Sequence, residues 1–129
     1  MDARILVIDD SAALLELLDE ILTEDGYRVT TWAQPLPTLE PIKQLAPDLV
    51  ILDYLLGAQM EGPHLWQQLR ADPATAHIPL ILCTAAVQEV QSLAAELQQH
   101  QVAVVYKPFE LEELLATVLD QLAARGARL

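Results

Sequence analysis

Residues 5–11 read Ile5-Leu6-Val7-Ile8-Asp9-Asp10-Ser11, a continuous apolar run that ends in two carboxylates and a serine. Such a run suits a strand that is buried on both faces of a parallel sheet. A second run, Leu49-Val50-Ile51-Leu52, ends in the same way at Asp53. If the two strands are parallel neighbours, three like charges converge at one edge of the sheet, which is costly without a cation. Oxygen ligands with room for water suit Mg²⁺, so the pattern predicts a magnesium site at Asp9, Asp10 and Asp53.

Length and composition indicate one globular domain with room for a real core. The chain has 129 residues, of which 53% are hydrophobic, and no apolar stretch approaches the ~20 residues that a membrane helix needs. The net charge of -12, with seven scattered basic residues, opposes direct binding to nucleic acid. The single Cys83 gives no disulfide framework, and a first strand close to Met1 leaves no secretory signal. We therefore expect a cytoplasmic protein that binds proteins and small ligands, with no membrane and no nucleic-acid partner.

Strand and helix patterns alternate along the whole chain. Ser11 is a predicted N-cap and Gly26 a predicted stop for the first helix, while Thr38 as N-cap would place Pro41 in the first turn of the second. The predicted strands cover 5–8, 27–32, 49–53, 79–83 and 102–106, and the predicted helices cover 12–25, a short segment after Thr38, 63–70, 87–99 and about 111–124. Five such pairs in strict alternation predict an α/β fold, a doubly wound parallel sheet with helices on both faces. In such a sheet the site lies at the carboxyl ends of the strands.

Polar residues stand at those strand ends: besides the acids, Thr84 ends the fourth strand and Lys107 follows the fifth. Each has an ordinary structural interpretation by itself. Asp10 or Thr84 can cap a helix, Asp53 can be a loop acid, and Lys107 can be a solvated lysine. Together, however, a carboxylate nucleophile, a metal-binding acid pair, a hydroxyl donor and an ammonium are the groups needed for phosphoryl transfer.

The chain resembles the receiver domains of two-component response regulators over nearly its entire length. The motifs that carry the resemblance are Ile8-Asp9-Asp10-Ser11, Pro47-Asp48-Leu49-Val50-Ile51-Leu52-Asp53, Leu69-Arg70-Ala71-Asp72-Pro73, His77-Ile78-Pro79, Cys83-Thr84-Ala85 and Lys107-Pro108-Phe109. The resemblance implies a flavodoxin-like five-stranded sheet in the order 2-1-3-4-5. It also implies a receiver domain over residues 1–124, with 125–129 as a short tail, and we expect a stand-alone protein.

By this resemblance, Asp53 is the phosphoacceptor for a sensor histidine kinase or a phosphotransfer protein. Asp9, Asp10, Asp53 and the backbone carbonyl of Leu55 would hold Mg²⁺, and Thr84 and Lys107 would bind the phosphoryl oxygens. The Lys107-Pro108 bond is expected to be cis. The chemistry is self-phosphorylation and dephosphorylation rather than enzymatic turnover, and the output is altered binding of a downstream protein. The resemblance also allows a homodimer through the fourth helix, fifth strand and last helix.

Three segments depart from the family pattern, one of them being residues 100–103, which replace the usual Gly-Ala-containing turn before the last strand. The loop over residues 54–62 lacks the usual proline, and Val104 stands three positions before Lys107, where the family carries an aromatic residue. Tyr106 directly precedes the lysine instead. These departures keep open a receiver-like module that binds without phosphorylation. An aspartyl-phosphate phosphatase is a second alternative, although Leu55 stands where such enzymes usually have another acid. We interpret Cys83 and the tryptophans as packing residues, and His64, His77 and His100 as surface or packing residues.

Overall fold

The computed structural model describes residues 3–33, 39–53 and 62–128, with the backbone alone at 62–64 and 125–128. Five strands are present in the described chain: β1 (Arg4–Ile8), β2 (Arg28–Trp32), β3 (Leu49–Leu52), β4 (Leu80–Thr84) and β5 (Val102–Tyr106). The helices in these ranges are α1 (Ala12–Glu24), α2 (Glu40–Leu45), α3 (Gly62–Ala71), α4 (Val87–Gln91), α5 (Ala94–Gln99) and α6 (Leu111–Arg128).

All five strands are parallel and lie in the order β2-β1-β3-β4-β5. The central strands β1, β3 and β4 pair in register over almost their full length, so their carboxyl ends meet at one edge. The predicted fold class and strand order are therefore confirmed. The β2 strand lies at the sheet edge and its residues are half-buried or exposed, as its alternating sequence predicts.

The pleat of the strands divides the core into two layers. Leu6 and Ile8 of β1 face one cluster, and Ile5 and Val7 face the other. The first cluster draws its helical members from α2, α3, α4 and α5: Ile42, Leu65, Trp66, Leu69, Val90 and Leu97. The second draws them from α1 and α6: Leu15, Leu18, Leu22, Leu114 and Val118. Helices thus cover both faces, and this explains why the central strands are apolar at every position.

The first helix begins and ends where the sequence predicts. The Ser11 hydroxyl accepts a hydrogen bond from the Leu14 amide at 3.3 Å, which satisfies one of the free N–H groups of the first turn. After the helix, Gly26 adopts φ +95°, a left-handed conformation that side chains disfavour.

The second helix begins one residue later than expected. Its N-cap is Leu39, which offers no side-chain acceptor, so the prediction of Thr38 as the cap is wrong. Pro41 does lie in the first turn, where its missing N–H costs little. Thr38 itself lies outside the described residues.

The single helix predicted over 87–99 is wrong, because the chain forms two short helices there. The Ser92 hydroxyl donates to the Glu89 carbonyl at 2.6 Å, and the Leu93 amide bonds back to Val90 in a tighter turn. A serine that bonds to its own turn competes with the helical pattern. The helix is therefore interrupted between Gln91 and Ala94, and each part contributes a buried residue to the core, Val90 from α4 and Leu97 from α5.

The last helix runs to Arg128, four residues past the predicted end near Ala124. A glycine inside a helix destabilises it by only about 1 kcal/mol. Gly126 therefore does not end α6, whereas Gly26 follows the end of α1. The predicted apolar stripe is only partly buried: Leu114 and Val118 are fully buried, whereas Leu119 is 62% exposed. Leu119 lies about 100° around the helix from Val118, which turns it away from the sheet.

Candidate functional site

The site is built at the carboxyl edge of the sheet. Asp9 follows β1, Asp53 follows β3 and Lys107 follows β5. The alternation of the strands directs these three side chains toward the α1 and α6 layer, while Thr84 continues the opposite face of β4. The structure thus brings Asp9, Asp10, Asp53 and Lys107 together, and the Thr84 backbone lies beside them through its hydrogen bond with the Lys107 amide.

Lys107 holds the two buried carboxylates together. Its Nζ lies 2.7 Å from Asp9 Oδ2 and 3.3 Å from Asp53 Oδ2. The side chains of Asp9 and Asp53 are only 4% and 9% exposed, and that of Lys107 is 22% exposed. Ion pairs this far from water are screened much less than surface pairs. The lysine is therefore part of a buried charge cluster rather than a solvated side chain.

Both carboxylate oxygens of Asp9 accept hydrogen bonds. Its Oδ1 accepts the Ser11 amide at 2.9 Å, while its Oδ2 accepts Lys107. Sequence reasoning identified Ser11 only as a helix cap and missed that its backbone fixes Asp9. The signal was available, because an aspartate two residues before an N-cap commonly bonds to that backbone amide.

The three carboxylates fit a divalent cation. One oxygen each from Asp9, Asp10 and Asp53 lies within 4.8 Å of the others, with Asp9 and Asp53 buried and Asp10 exposed. Three carboxylates and one ammonium leave an excess of negative charge, which a divalent cation neutralises. Hard oxygen ligands with one open side suit Mg²⁺, which retains several waters. The predicted fourth ligand, the Leu55 carbonyl, lies outside the described residues, as does most of the loop at 54–62.

The pKa of Lys107 follows from this cluster. Burial by itself would lower it, but the hydrogen bond to Asp9 and the charges of Asp53 and Asp9 outweigh burial, so the pKa lies above the ordinary 10.5. The ammonium is therefore charged throughout the physiological range. The bond from Lys107 to Pro108 is cis, as predicted.

Thr84 is fully buried and borders the charge cluster. Its hydroxyl accepts the Ala86 amide at 3.1 Å, and its carbonyl accepts the Lys107 amide at 2.8 Å. Among the described residues, the hydroxyl is thus paired with the start of α4 rather than with the carboxylates. It still has its proton to donate, because a hydroxyl is both donor and acceptor.

Cys83 is a packing residue, as expected from the sequence. It is 1% exposed, and burial raises the pKa of its thiol to about 12. The thiolate is the reactive form, so we expect a thiol reagent at pH 8 to modify the folded protein far more slowly than the urea-unfolded chain. Absorbance of the released chromophore from a disulfide reagent measures both rates. Equal rates would contradict the burial of this thiol.

The histidines whose side chains are described lie away from the carboxylates. His77 and His100 are exposed, and the His100 ring meets Trp66 edge-on with centroids 5.7 Å apart. In residues 3–33, 39–53 and 62–128, the aspartate trio is the one group of three side chains placed to share a metal. No helix in these ranges is long and apolar enough to cross a bilayer.

Comparison with known proteins agrees with the geometry. The chain is 34% identical over 122 residues to the DNA-binding response regulator MtrA of Mycobacterium leprae, covering 95% of this chain and 52% of that protein. It is 36% identical over 115 residues to the transcriptional regulator RpaA of Synechocystis, covering 89% of this chain and 47% of that protein. The chain thus spans about half the length of these curated relatives.

Solved structures show the same fold. A putative response regulator from Chloroflexus aurantiacus superposes with a TM-score of 0.82 at 29% identity, over 95% of this chain and 99% of that one. A CheY-like receiver domain from Methanospirillum hungatei gives a TM-score of 0.85 at 24% identity, covering 99% of both chains. The family model described as "Response regulator receiver domain" matches residues 5–119. The chain belongs to the receiver domain family of two-component response regulators.

Proposed function

We propose that this receiver domain is a phosphorylation-dependent signalling switch that accepts a phosphoryl group on Asp53. One observation carries the proposal: the Asp53 carboxylate lies at the strand edge within reach of both the Lys107 ammonium and the acid pair Asp9 and Asp10. A carboxylate in such surroundings can act as a nucleophile toward phosphorus, because fixed positive charge stabilises the oxygens of the transferred group.

The chemistry follows from the atoms present. An Asp53 oxygen forms the new bond to phosphorus while the bond to the donor's imidazole nitrogen breaks, and the leaving imidazole takes up a proton. Lys107 and the Thr84 hydroxyl supply hydrogen bonds to the phosphoryl oxygens. Bound Mg²⁺, held by Asp9, Asp10, Asp53 and the Leu55 carbonyl, would neutralise charge on the attacking and transferred oxygens.

The donor in this proposal is a sensor histidine kinase or a phosphotransfer protein, and the output is altered binding of a downstream protein. In this proposal the switch unit comprises residues 1–124 and acts in the cytoplasm, which suits a chain with a single cysteine and therefore no disulfide framework. Direct contact of this domain with DNA is opposed by its charge of -12. A homodimer through α4, α5, β5 and α6 stays a prediction.

Intact-mass spectrometry with Mg²⁺ and acetyl phosphate tests the proposal. We expect the wild type to gain one phosphoryl group and Asp53→Asn to gain none, because the amide is a poor nucleophile. Asp72→Asn is the matched control, since Asp72 also pairs with a lysine, Lys43, at 2.8 Å but lies outside the site. It should be phosphorylated like the wild type, and a chelator should prevent the reaction in both.

The same experiment separates the alternatives. Continuous release of phosphate over many turnovers, with no stable adduct, would favour a phosphatase. Absence of any adduct on the wild type would favour a module that binds its partner without phosphorylation. An adduct that persists in Asp53→Asn would place the acceptor at another residue.

A further inference from the structure

The basic residues of this chain lie at one edge of the sheet, with a single exception. Strands begin at the amino edge and helices end there, because the strands are parallel and each helix runs back between them. Six of the seven basic residues stand at those ends: Arg4 and Arg28 open β1 and β2, and the last turns of α2, α3 and α6 contain Lys43, Arg70, Arg125 and Arg128. Lys107 alone lies at the carboxyl edge, where it is already paired with Asp9 and Asp53.

Acidic side chains, in contrast, lie around the site at the carboxyl edge. Five exposed residues, here called the acidic rim, follow β1 or stand at the start of α4 and α6: Asp10, Glu89, Glu110, Glu112 and Glu113. Acids stabilise helix N-termini, but they also leave net negative charge around Asp53. The pKa of Cys83, near the end of β4, is raised to about 12 by burial and, to a lesser degree, by nearby acids that include Glu113. The charge of the rim is therefore felt at the site.

This negative charge affects which phosphoryl donors reach Asp53. A charged surface lowers the local concentration of ions of its own sign and raises that of opposite ions, and such fields change association rates by roughly 10- to 1,000-fold. The effect extends over about 10 Å in 0.1 M salt and further in more dilute solution. A phosphoryl donor is itself anionic at the group that it transfers. It therefore approaches this edge readily only when positive charge accompanies that group.

We propose that the acidic rim selects phosphoryl donors whose phosphohistidine is surrounded by basic side chains. The inference rests on the proposed function, since it specifies the charge of the donor that phosphorylates Asp53. In that transfer the nitrogen–phosphorus bond of the donor imidazole breaks, the imidazole takes up a proton, and the new oxygen–phosphorus bond forms on Asp53. The rim takes no part in these bonds. It acts on the approach of the donor, as complementary charge does at protein interfaces.

The salt dependence of phosphorylation by acetyl phosphate provides the first test. Acetyl phosphate is an anion, so at saturating Mg²⁺ we expect the wild-type reaction to accelerate about threefold as the salt concentration rises from about 0.02 M to about 0.2 M. In Glu110→Gln/Glu112→Gln the reaction should be faster at low salt and depend less on salt. The matched control, Glu20→Gln/Glu24→Gln, removes the same charge from exposed residues in the second half of α1, toward the amino edge. It should react like the wild type.

The second test varies the charge of the donor itself. Two synthetic peptides each carry one phosphohistidine, flanked by lysines in one peptide and by glutamates in the other. We expect the lysine peptide to phosphorylate Asp53 about tenfold faster at low salt, and this advantage to shrink in Glu110→Gln/Glu112→Gln. Equal rates from the two peptides, or a salt-independent reaction that the rim substitutions leave unchanged, would overturn the inference and leave the proposed function intact. A wild type that gains no phosphoryl group from acetyl phosphate would instead refute the proposed function, and this inference with it.

Discussion

In the Lys107→Ala variant without divalent cations, we expect the free energy of unfolding to fall by about 3 kcal/mol, because two buried carboxylates lose their cationic partner. Asp9 and Asp53 are nearly inaccessible to water, and Asp10 lies close to both. Water cannot fully replace the ammonium there. Urea denaturation at neutral pH in the presence of a chelator measures the loss.

Lys43→Ala is the matched control. Lys43 also pairs with a carboxylate, Asp72, at 2.8 Å, but the Asp72 side chain is 27% exposed, against 4% for Asp9 and 9% for Asp53. Surface pairs contribute little, so this variant should unfold nearly like the wild type. A loss in Lys107→Ala no larger than that in Lys43→Ala would contradict the importance of the buried cluster. Added Mg²⁺ should restore much of the stability of Lys107→Ala, since a bound dication stabilises the folded state by mass action.

The effect of Lys107 also has a defined pH dependence. The pKa of Lys107 is higher in the folded protein than the value of 10.5 expected for the unfolded chain. The contribution of Lys107 to the free energy of unfolding is therefore complete below pH 10.5 and is lost as the pH rises through the folded pKa. The stability difference between wild type and Lys107→Ala should therefore be constant from pH 7 to the ordinary lysine pKa and shrink above it. A difference that vanished on mild acidification would point to the carboxylates instead.

In Arg70→Ala we expect the free energy of unfolding to fall by about 3 kcal/mol. Three charge-assisted hydrogen bonds are lost, and each contributes roughly 1 kcal/mol. Arg70 Nε donates to the His100 carbonyl at 2.8 Å, and Nη1 donates to the carbonyls of Ala76 at 3.1 Å and Ile78 at 2.5 Å. One guanidinium thereby ties the end of α3 to the segment before β4 and to the turn before β5. Thermal and urea denaturation of Arg70→Ala measure the loss.

Two further variants show whether the geometry of the guanidinium matters. Arg70→Lys keeps the charge but lacks the planar array of donors, so we expect it to recover only a minor part of the stability. Arg4→Ala should cost less than Arg70→Ala, because the Arg4 side chain donates to one carbonyl, that of Leu45, at 3.2 Å. Full recovery in Arg70→Lys would show that charge alone accounts for the effect.

The sheet could be predicted from sequence because its strands are short, apolar runs that end in polar residues. Leu49 to Leu52 is buried at every position. A run of four apolar residues is too short for a typical helix, so it predicts a strand. The helices were less predictable, since their ends depend on single hydrogen bonds. Ser92 divides α4 from α5 through a bond to its own turn, and the exposure of Leu119 depends on how α6 lies on the sheet.

The sequence predicted which residues form the site, but not which side chains bond to one another. Parallel strands must bring Asp9, Asp53 and Lys107 to one edge, so their proximity follows from topology alone. That Lys107 bridges both carboxylates, and that the Thr84 hydroxyl is engaged by Ala86, depends on side-chain conformations. The sequence pattern does not determine those conformations.

The position of β2 has a consequence for how the protein behaves in concentrated solution. Within the described chain, this strand pairs with β1 alone, and its outer backbone groups can template association with another copy. At neutral pH the 19 acidic residues outnumber the 7 basic ones, so like-charged molecules repel before their edges meet. Near pH 4.3, where the net charge of the chain is zero, that repulsion is lost. We therefore expect the carboxylates to keep the molecules apart at neutral pH, and light scattering to show self-association as the pH approaches 4.3.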